Sequence, residues 1–291
     1  MDLASYGEFF LAVFRSASPL VIAAFAALFC ERSGVIQIAL EGFMLFGAFC
    51  AAGVALQTNS FLGLTAAAAL GLLLGLFYAF LVVKLRLDQI VSGIVVNMIA
   101  WGGIPILCKA IFGSSAGTPT IPSPNRLPSF YPIFIAVGAL ILTQAVISRT
   151  RIGLWITFAG DKPEALQSVG VSPRVVRMVS VCLGGVLAAV AGGCLSVALS
   201  SNYTRNMTAG RGFMALAALI LGKWKPLPVF CSCLLFGLFD VLQMRLQGYQ
   251  LPYIGLIPNQ LIQMIPYATT LFILVGVVGN NSGPVQLGKA I

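Results

Sequence analysis

Histidine is absent from the 291 residues, and Asp and Glu together number only 8. Without an imidazole the chain lacks the usual general base near neutral pH and the commonest metal ligand. No G-x-x-x-x-G-K-[ST] run occurs, so a phosphate-cradling P-loop is excluded, and no cluster of metal-ligating residue types is found. Nor is there the carboxylate pair, or the nucleophile beside a base, that an intramembrane enzyme needs. The chain reads as a non-enzyme. Charge is scarce too: 9% of residues are charged, against roughly 25% in a soluble domain. So few charges cannot cover a solvated surface, which leaves lipid around most of the molecule.

What is present is apolar. Hydrophobic residues make up 59% and the mean hydropathy is +0.98. The runs stay apolar for about 20 residues, enough to cross a bilayer as helix. A barrel strand would alternate apolar and polar over about ten. The expected fold is an all-α polytopic membrane protein. The seven cysteines lie mostly inside apolar runs, where Cys acts as a small hydrophobe, and Cys231 and Cys233 form C-x-C rather than C-x-x-C. A net charge of +9 is scattered between spans, as at Lys84/Arg86 and Arg149/Arg151, which fits topology signals and lipid headgroups and not nucleic acid. Asp2 and Glu8 stand where a cleavable signal carries a basic region, so the first span is expected to be retained.

Candidate spans follow one another closely. They run Phe9–Phe29, Val35–Leu56 (containing Glu41), Phe61–Val83, Gln89–Phe112 (containing Asn97), Phe130–Ser148, Val175–Leu199, Val229–Met244 (containing Asp240) and Ile257–Gly279. A short apolar piece, Phe213–Leu221, ends at Gly222-Lys223-Trp224-Lys225-Pro226. The count is about eight transmembrane helices plus one short broken half-helix, in a single transmembrane domain over residues 1–291. Gly113–Ser129 carries one charge, Arg126, and suits a non-cytoplasmic loop. Residues 149–177 hold Arg149, Arg151, Lys162, Arg174 and Arg177 against Asp161 and Glu164, which marks a cytoplasmic loop. Small residues at Gly71/Gly75 and Gly184/Ala188/Gly192 suit close helix packing in lipid.

Within the 149–177 loop, Asp161-Lys162-Pro163-Glu164 has the form of a helix start: Asp161 as cap, Pro163 in the first turn, Glu164 three residues after the cap. Ala165 to Val169, with Ser168, continues the helix and Gly170 closes it as a C′ residue. Two turns are not stable alone in water, so this helix either docks on a partner or lies on the bilayer. Glu41, Asn97 and Asp240 are the polar residues deepest in spans. Ionisable groups there are costly and usually face a bundle interior or a water-filled pathway. Glu41 and Asn97 are candidate pathway-lining residues, with interhelical bonding or gating as the competing role. Asp240 with Arg245 is a candidate structural ion pair.

Four stretches resemble the permease subunits of bacterial ABC importers, in the branched-chain amino acid, ribose and simple-sugar superfamily. They are Glu31-Arg32-Ser33-Gly34-Val35 through Ala39-Leu40-Glu41-Gly42-Phe43-Met44; Asp88-Gln89-Ile90-Val91-Ser92-Gly93 with Asn97; Thr150-Arg151-Ile152-Gly153 through Ser168-Val169-Gly170-Val171; and Gly210-Arg211-Gly212-Phe213-Met214-Ala215-Leu216-Ala217 with Gly222-Lys223-Trp224-Lys225-Pro226, followed by Pro266-Tyr267. The likeness is greatest to nucleoside-type and simple-sugar-type permeases. It implies that Asp161–Gly170, with Asp161, Pro163, Glu164, Ala165, Ser168 and Gly170, is the coupling helix that seats in an ABC ATPase. It implies further partners: a second permease subunit, the same or different, and an extracytoplasmic substrate-binding protein. ATP and Mg would belong to the ATPase, with no cofactor in this chain, and the location would be the bacterial inner membrane. A nucleoside is the expected solute, with riboflavin or a simple sugar as alternatives on the same machine. An ion-coupled secondary transporter is the remaining alternative.

Overall fold

A backbone in lipid must satisfy its own amides, so long apolar runs become helices. The computed structural model describes residues 3–246, 250–251, 255–256, 264 and 283–289. Among them the helices are α1 (Leu3–Arg32), α2 (Leu40–Gln57), α3 (Ser60–Ala79), α4 (Gln89–Phe112), α5 (Tyr131–Arg149), α6 (Arg151–Asp161), α7 (Pro163–Ser168), α8 (Pro173–Cys194), α9 (Arg211–Leu221) and α10 (Pro226–Leu246). Two-residue strands β1 (Gln250–Leu251) and β2 (Gly255–Leu256) pair antiparallel. Helices α3 and α8 each end in a π-helical turn, Phe80–Lys84 and Leu195–Ser200. Among the described residues seven helices, α1 to α5, α8 and α10, are long and apolar enough to cross a membrane. The all-α polytopic class is what the structure shows. The expected span Ile257–Gly279 and the Pro266-Tyr267 pair lie outside the described residues.

Helix α8 occupies the centre, packed on α1, α2 and α3. Small residues make that possible. A Cβ on Gly75 would come within 2.9 Å of the Cys182 backbone, and one on Gly71 within 2.6 Å of Ala189 Cβ. Further along α8, a Cβ on Gly192 would strike the Met44 backbone of α2. Packing rather than hydrophobicity drives helix association in lipid, so these seams hold the bundle together.

Three elements differ from the sequence reading. The second span does not start at Val35. Gly34 turns the chain at φ +93°, residues 35–39 are non-helical, and α2 begins at Leu40. The 149–177 loop contains a helix the sequence did not announce, α6, started by Thr150, whose hydroxyl accepts from the Gly153 amide at 3.2 Å. The surface helix is therefore shorter than Asp161–Gly170. Asp161 ends α6 instead of capping α7, and the α7 N-cap is Lys162 without a side-chain bond. Gly170 follows α7 at φ +80°, the left-handed conformation a C′ glycine supplies.

Helix α9 does not cross. Eleven residues rise about 16 Å, half the hydrocarbon thickness. Its last turn leads to Trp224, whose Nε1–H donates to Glu31 at the end of α1 (2.7 Å). Its first turn meets the first turn of α2 inside the bundle. The ends of α1, α3 and α5, the loop holding α6 and α7, and the α9–α10 turn carry most of the basic residues, and that end is called the basic end below.

Candidate functional site

Residues 35–39 break the helical pattern, yet Val35 and Gln37 are fully buried. Irregular backbone at such depth survives only when protein groups satisfy it. Three side chains do so. The Ile36 amide donates to Gln89 Oε1 (2.8 Å), and Asn97 Nδ2 donates to the Ile38 carbonyl (2.9 Å). The Tyr78 hydroxyl lies 3.0 Å from the Ile36 carbonyl and 2.9 Å from that of Gln89, its one proton serving both. Gln37 itself has no partner for either amide atom among the described residues.

Asn97 and Glu41 both act as caps on helices other than their own. Asn97 Oδ1 accepts from the Gly42 amide (2.8 Å), one of the donors left free at the start of α2. Glu41 caps the start of α9. Its carboxylate accepts from the amides of Gly210 (2.9 Å) and Gly212 (2.7 Å) and from the Thr208 hydroxyl. A carboxylate there also meets the positive end of the helix dipole. The approach to α9 is tightly turned, with Asn206, Ala209 and Gly210 all at positive φ. Glu41 and Asn97 are 1% and 2% exposed, and neither lies on the wall of the cavity described next.

That cavity, about 360 Å³, opens between α2, α4 and the loop before α9. Leu45 of α2, Ala100, Trp101 and Pro105 of α4, and Tyr203, Arg205 and Asn206 of the loop before α9 line it. The loop is fixed there because the Tyr203 amide donates to Thr118 Oγ1 (3.0 Å) and the Thr118 amide to the Tyr203 carbonyl (2.9 Å). Burial pushes the Tyr203 phenol up to about 12, although Arg205 nearby pulls it down, so it stays neutral. The arrangement offers two aromatic side chains, one amide and one cation among apolar walls. The size falls within the range of small-molecule pockets. Trp101, Arg205 and Asn206 were not singled out from the sequence. The signals were available: a tryptophan in mid-span, and an Arg-Asn pair between two helices.

Asp240 does not pair with Arg245. Its Oδ2 lies 3.6 Å from Arg211 Nη2 and accepts from Ser16 Oγ (3.0 Å). Arg245 sits over the Phe9 ring, 4.8 Å from its centroid. The reason is helical geometry. Residues five apart point about 140° away from each other, whereas three or four apart they meet.

At the basic end, α7 is a nearly bare helix. Leu166 is buried against Phe29, Ile156, Ala159 and Val176, while Glu164, Ala165, Ser168 and Gly170 are exposed and Pro163 is half-buried. Arg177 holds the surroundings together from α8, donating to the carbonyls of Ser33 (3.1 Å) and Ala159 (3.0 Å). Thus one apolar anchor fixes α7 and the rest of it faces outward.

A half-length helix inside the bundle and a cavity with polar groups between helices suit a transporter, and comparison with known proteins agrees. The model of the family described as "Branched-chain amino acid transport system / permease component" matches residues 9–275. The chain belongs to that family. Among relatives, the guanosine ABC transporter permease protein NupQ of Bacillus subtilis is 32% identical over 92% of this chain and 91% of its own. The nucleoside ABC transporter permease protein NupC of Lactococcus lactis shows the same identity and coverage. The putative glucose ABC transporter permease protein TsgC13 of Haloferax volcanii is 30% identical over 90% of this chain and 89% of its own. No solved structure matches. The protein is a multi-pass permease subunit of an ABC transporter in the bacterial inner membrane, and not itself an enzyme.

Proposed function

We propose that this permease carries nucleosides inward, driven by ATP that a separate ABC ATPase binds with Mg and hydrolyses. The observation that carries the solute class is the cavity between α2, α4 and the loop before α9. The Trp101 ring offers a face on which a flat base can stack. The Asn206 amide both donates and accepts, as base edges and ribose hydroxyls require, and Arg205 adds further donors. The relatives named for guanosine and nucleosides point the same way. A glucose permease among the relatives favours a second reading, a simple sugar, whose apolar face an indole also accepts.

The surface supports a reading of the machine around it. The basic end takes the cytoplasmic side, because Lys and Arg concentrate in cytoplasmic loops. There α7, with Pro163, Glu164, Ala165, Ser168 and Gly170, is the coupling helix that seats in the ATPase, and Asp161 anchors its approach. A second permease subunit, and an extracytoplasmic binding protein that delivers the solute, complete the assembly.

Uptake of radiolabelled guanosine and uridine tests the reading, in cells whose only nucleoside route is this complex. Unlabelled nucleosides should compete, while glucose and riboflavin should not. Trp101→Ala should lower uptake about tenfold, as loss of one base–aromatic stack worth about 1–3 kcal/mol predicts. Competition by glucose with none by nucleosides would transfer the assignment to sugars.

A further inference from the structure

The coupling helix and the helix break lie on separate elements, and a short stretch of chain spans them. Residues 283–289 cross the basic end. Gly283 rests on the Trp224 indole, where a Cβ would come within 2.9 Å of Cη2. The Gln286 amide donates to the Gly160 carbonyl (2.8 Å), and the Val285 amide approaches Asp161 Oδ1 at 3.4 Å. Both acceptors belong to the last turn of α6, directly before α7. Three residues after Gln286, the Lys289 carbonyl accepts from Gln89 Nε2 (3.1 Å). The other end of that same side chain, Gln89 Oε1, accepts from the Ile36 amide in the break (2.8 Å). Gln89 is 5% exposed and is the first residue of α4.

We propose that Gln89 and residues 283–289 form the link by which displacement of α7 reaches the break between α1 and α2. Gln89 is the positioning residue in that link. A glutamine amide donates at one end and accepts at the other, so this one side chain fastens residues 283–289 to the break. Between the Gly160 carbonyl and the Ile36 amide, the rest of the path is backbone. Beyond Ile36 the path continues through Ile38, Asn97 and Gly42 into α2, and through Glu41 into α9. The Gly42–Asn97 and Gly212–Glu41 bonds are buried, where each is stronger than at an exposed surface. A break whose amides are held by side chains, and not by a helical ladder, is an element that can take two arrangements. The link rests on the reading of α7 as the ATPase-docking helix.

Substitutions at Gln89 separate its two bonds. Gln89→Glu keeps the acceptor for Ile36 and sets an oxygen against the Lys289 carbonyl, so it severs only the connection to residues 283–289. The measurement is nucleoside uptake per ATP hydrolysed by the complex in liposomes, alongside the yield of assembled complex. Gln89→Glu should assemble normally and lose about fivefold or more in uptake per ATP. Deleting residues 283–291 should give the same loss, and the two changes together should do no more than either alone. Should the deletion lower the yield, Gln286→Pro replaces it, since it removes the amide that reaches Gly160. Wild-type uptake per ATP in Gln89→Glu overturns the link, as do additive losses in the combination. Ala165→Trp is the control. If it alone transports normally, the coupling-helix reading falls and takes the link with it. If it sheds the ATPase while Gln89→Glu transports at full efficiency, only the link falls.

Discussion

Glu41 gathers three donors that have no other partner among the described residues: the Gly210 and Gly212 amides and the Thr208 hydroxyl. A buried donor left unpaired costs about 1–3 kcal/mol. Glu41→Leu strands all three and should sharply reduce the yield and melting temperature of the detergent-solubilised protein. Glu41→Gln keeps the shape and one carbonyl acceptor, and should fall between Leu and wild type. Identical melting curves for the three proteins would remove the capping role. Asn97 invites a parallel experiment, since both ends of its amide are bonded to backbone. Asn97→Leu should cut complex yield and total uptake together, leaving uptake per assembled complex unchanged. A drop in uptake per complex would return Asn97 to the solute pathway. Depth in an apolar span was enough to mark both residues in the sequence. Their partners could not be read there, because a cap belongs to whichever helix starts beside it. The starts of α2 and α9 are set by turns at Gly34 and Gly210 that leave no trace in hydrophobic periodicity.

At the scale of elements, the long helices were legible because lipid demands length and continuity, and α4 runs Gln89–Phe112 as the sequence suggests. Helix α6 was not, because Gly153 and Gly160 read as loop residues. Both glycines face neighbouring backbone instead: Gly153 packs on Ile147 of α5, and Gly160 on the chain at Arg32 and Gly34. The surface helix was legible through Pro163 and Gly170, although its cap was misread. Its expected behaviour follows from having one buried residue. Ala165→Trp adds bulk on the exposed face and should leave membrane insertion intact while abolishing ATPase attachment, read by co-purification. Gly170→Val forces a β-branched residue to φ +80°, where only glycine is at ease, and should do the same though nothing crowds the site. Leu166→Ala removes the anchor, and should instead lower the thermal stability of the isolated permease. Normal co-purification of the ATPase with both Ala165→Trp and Gly170→Val would show that α7 is not the docking element.

The molecule as a whole is polar in one sense only: its two ends differ in basic charge. Arg149, Arg151, Lys162 and Arg174 cluster around α6 and α7, whereas the loop joining α4 to α5 offers Arg126 alone. If the first end is cytoplasmic, every spanning helix acquires a direction, and α1 must begin outside, since its last turn meets Trp224 at the basic end. The half-length of α9 is what makes this consistent. The loop before α9 joins Gly117 and Thr118 near the opposite end, and α9 then returns through half the bundle to the basic one. Single cysteines test the whole arrangement at once. In a background lacking the seven native cysteines, Ser168→Cys and Ser172→Cys should be shielded from an impermeant maleimide in intact cells. Ser114→Cys and Ser115→Cys should react with it. All four positions are exposed, so burial does not account for a failure to label. Reaction at position 168 from outside would invert every helix, and the face assigned to the ATPase would then lie where no ATP is available.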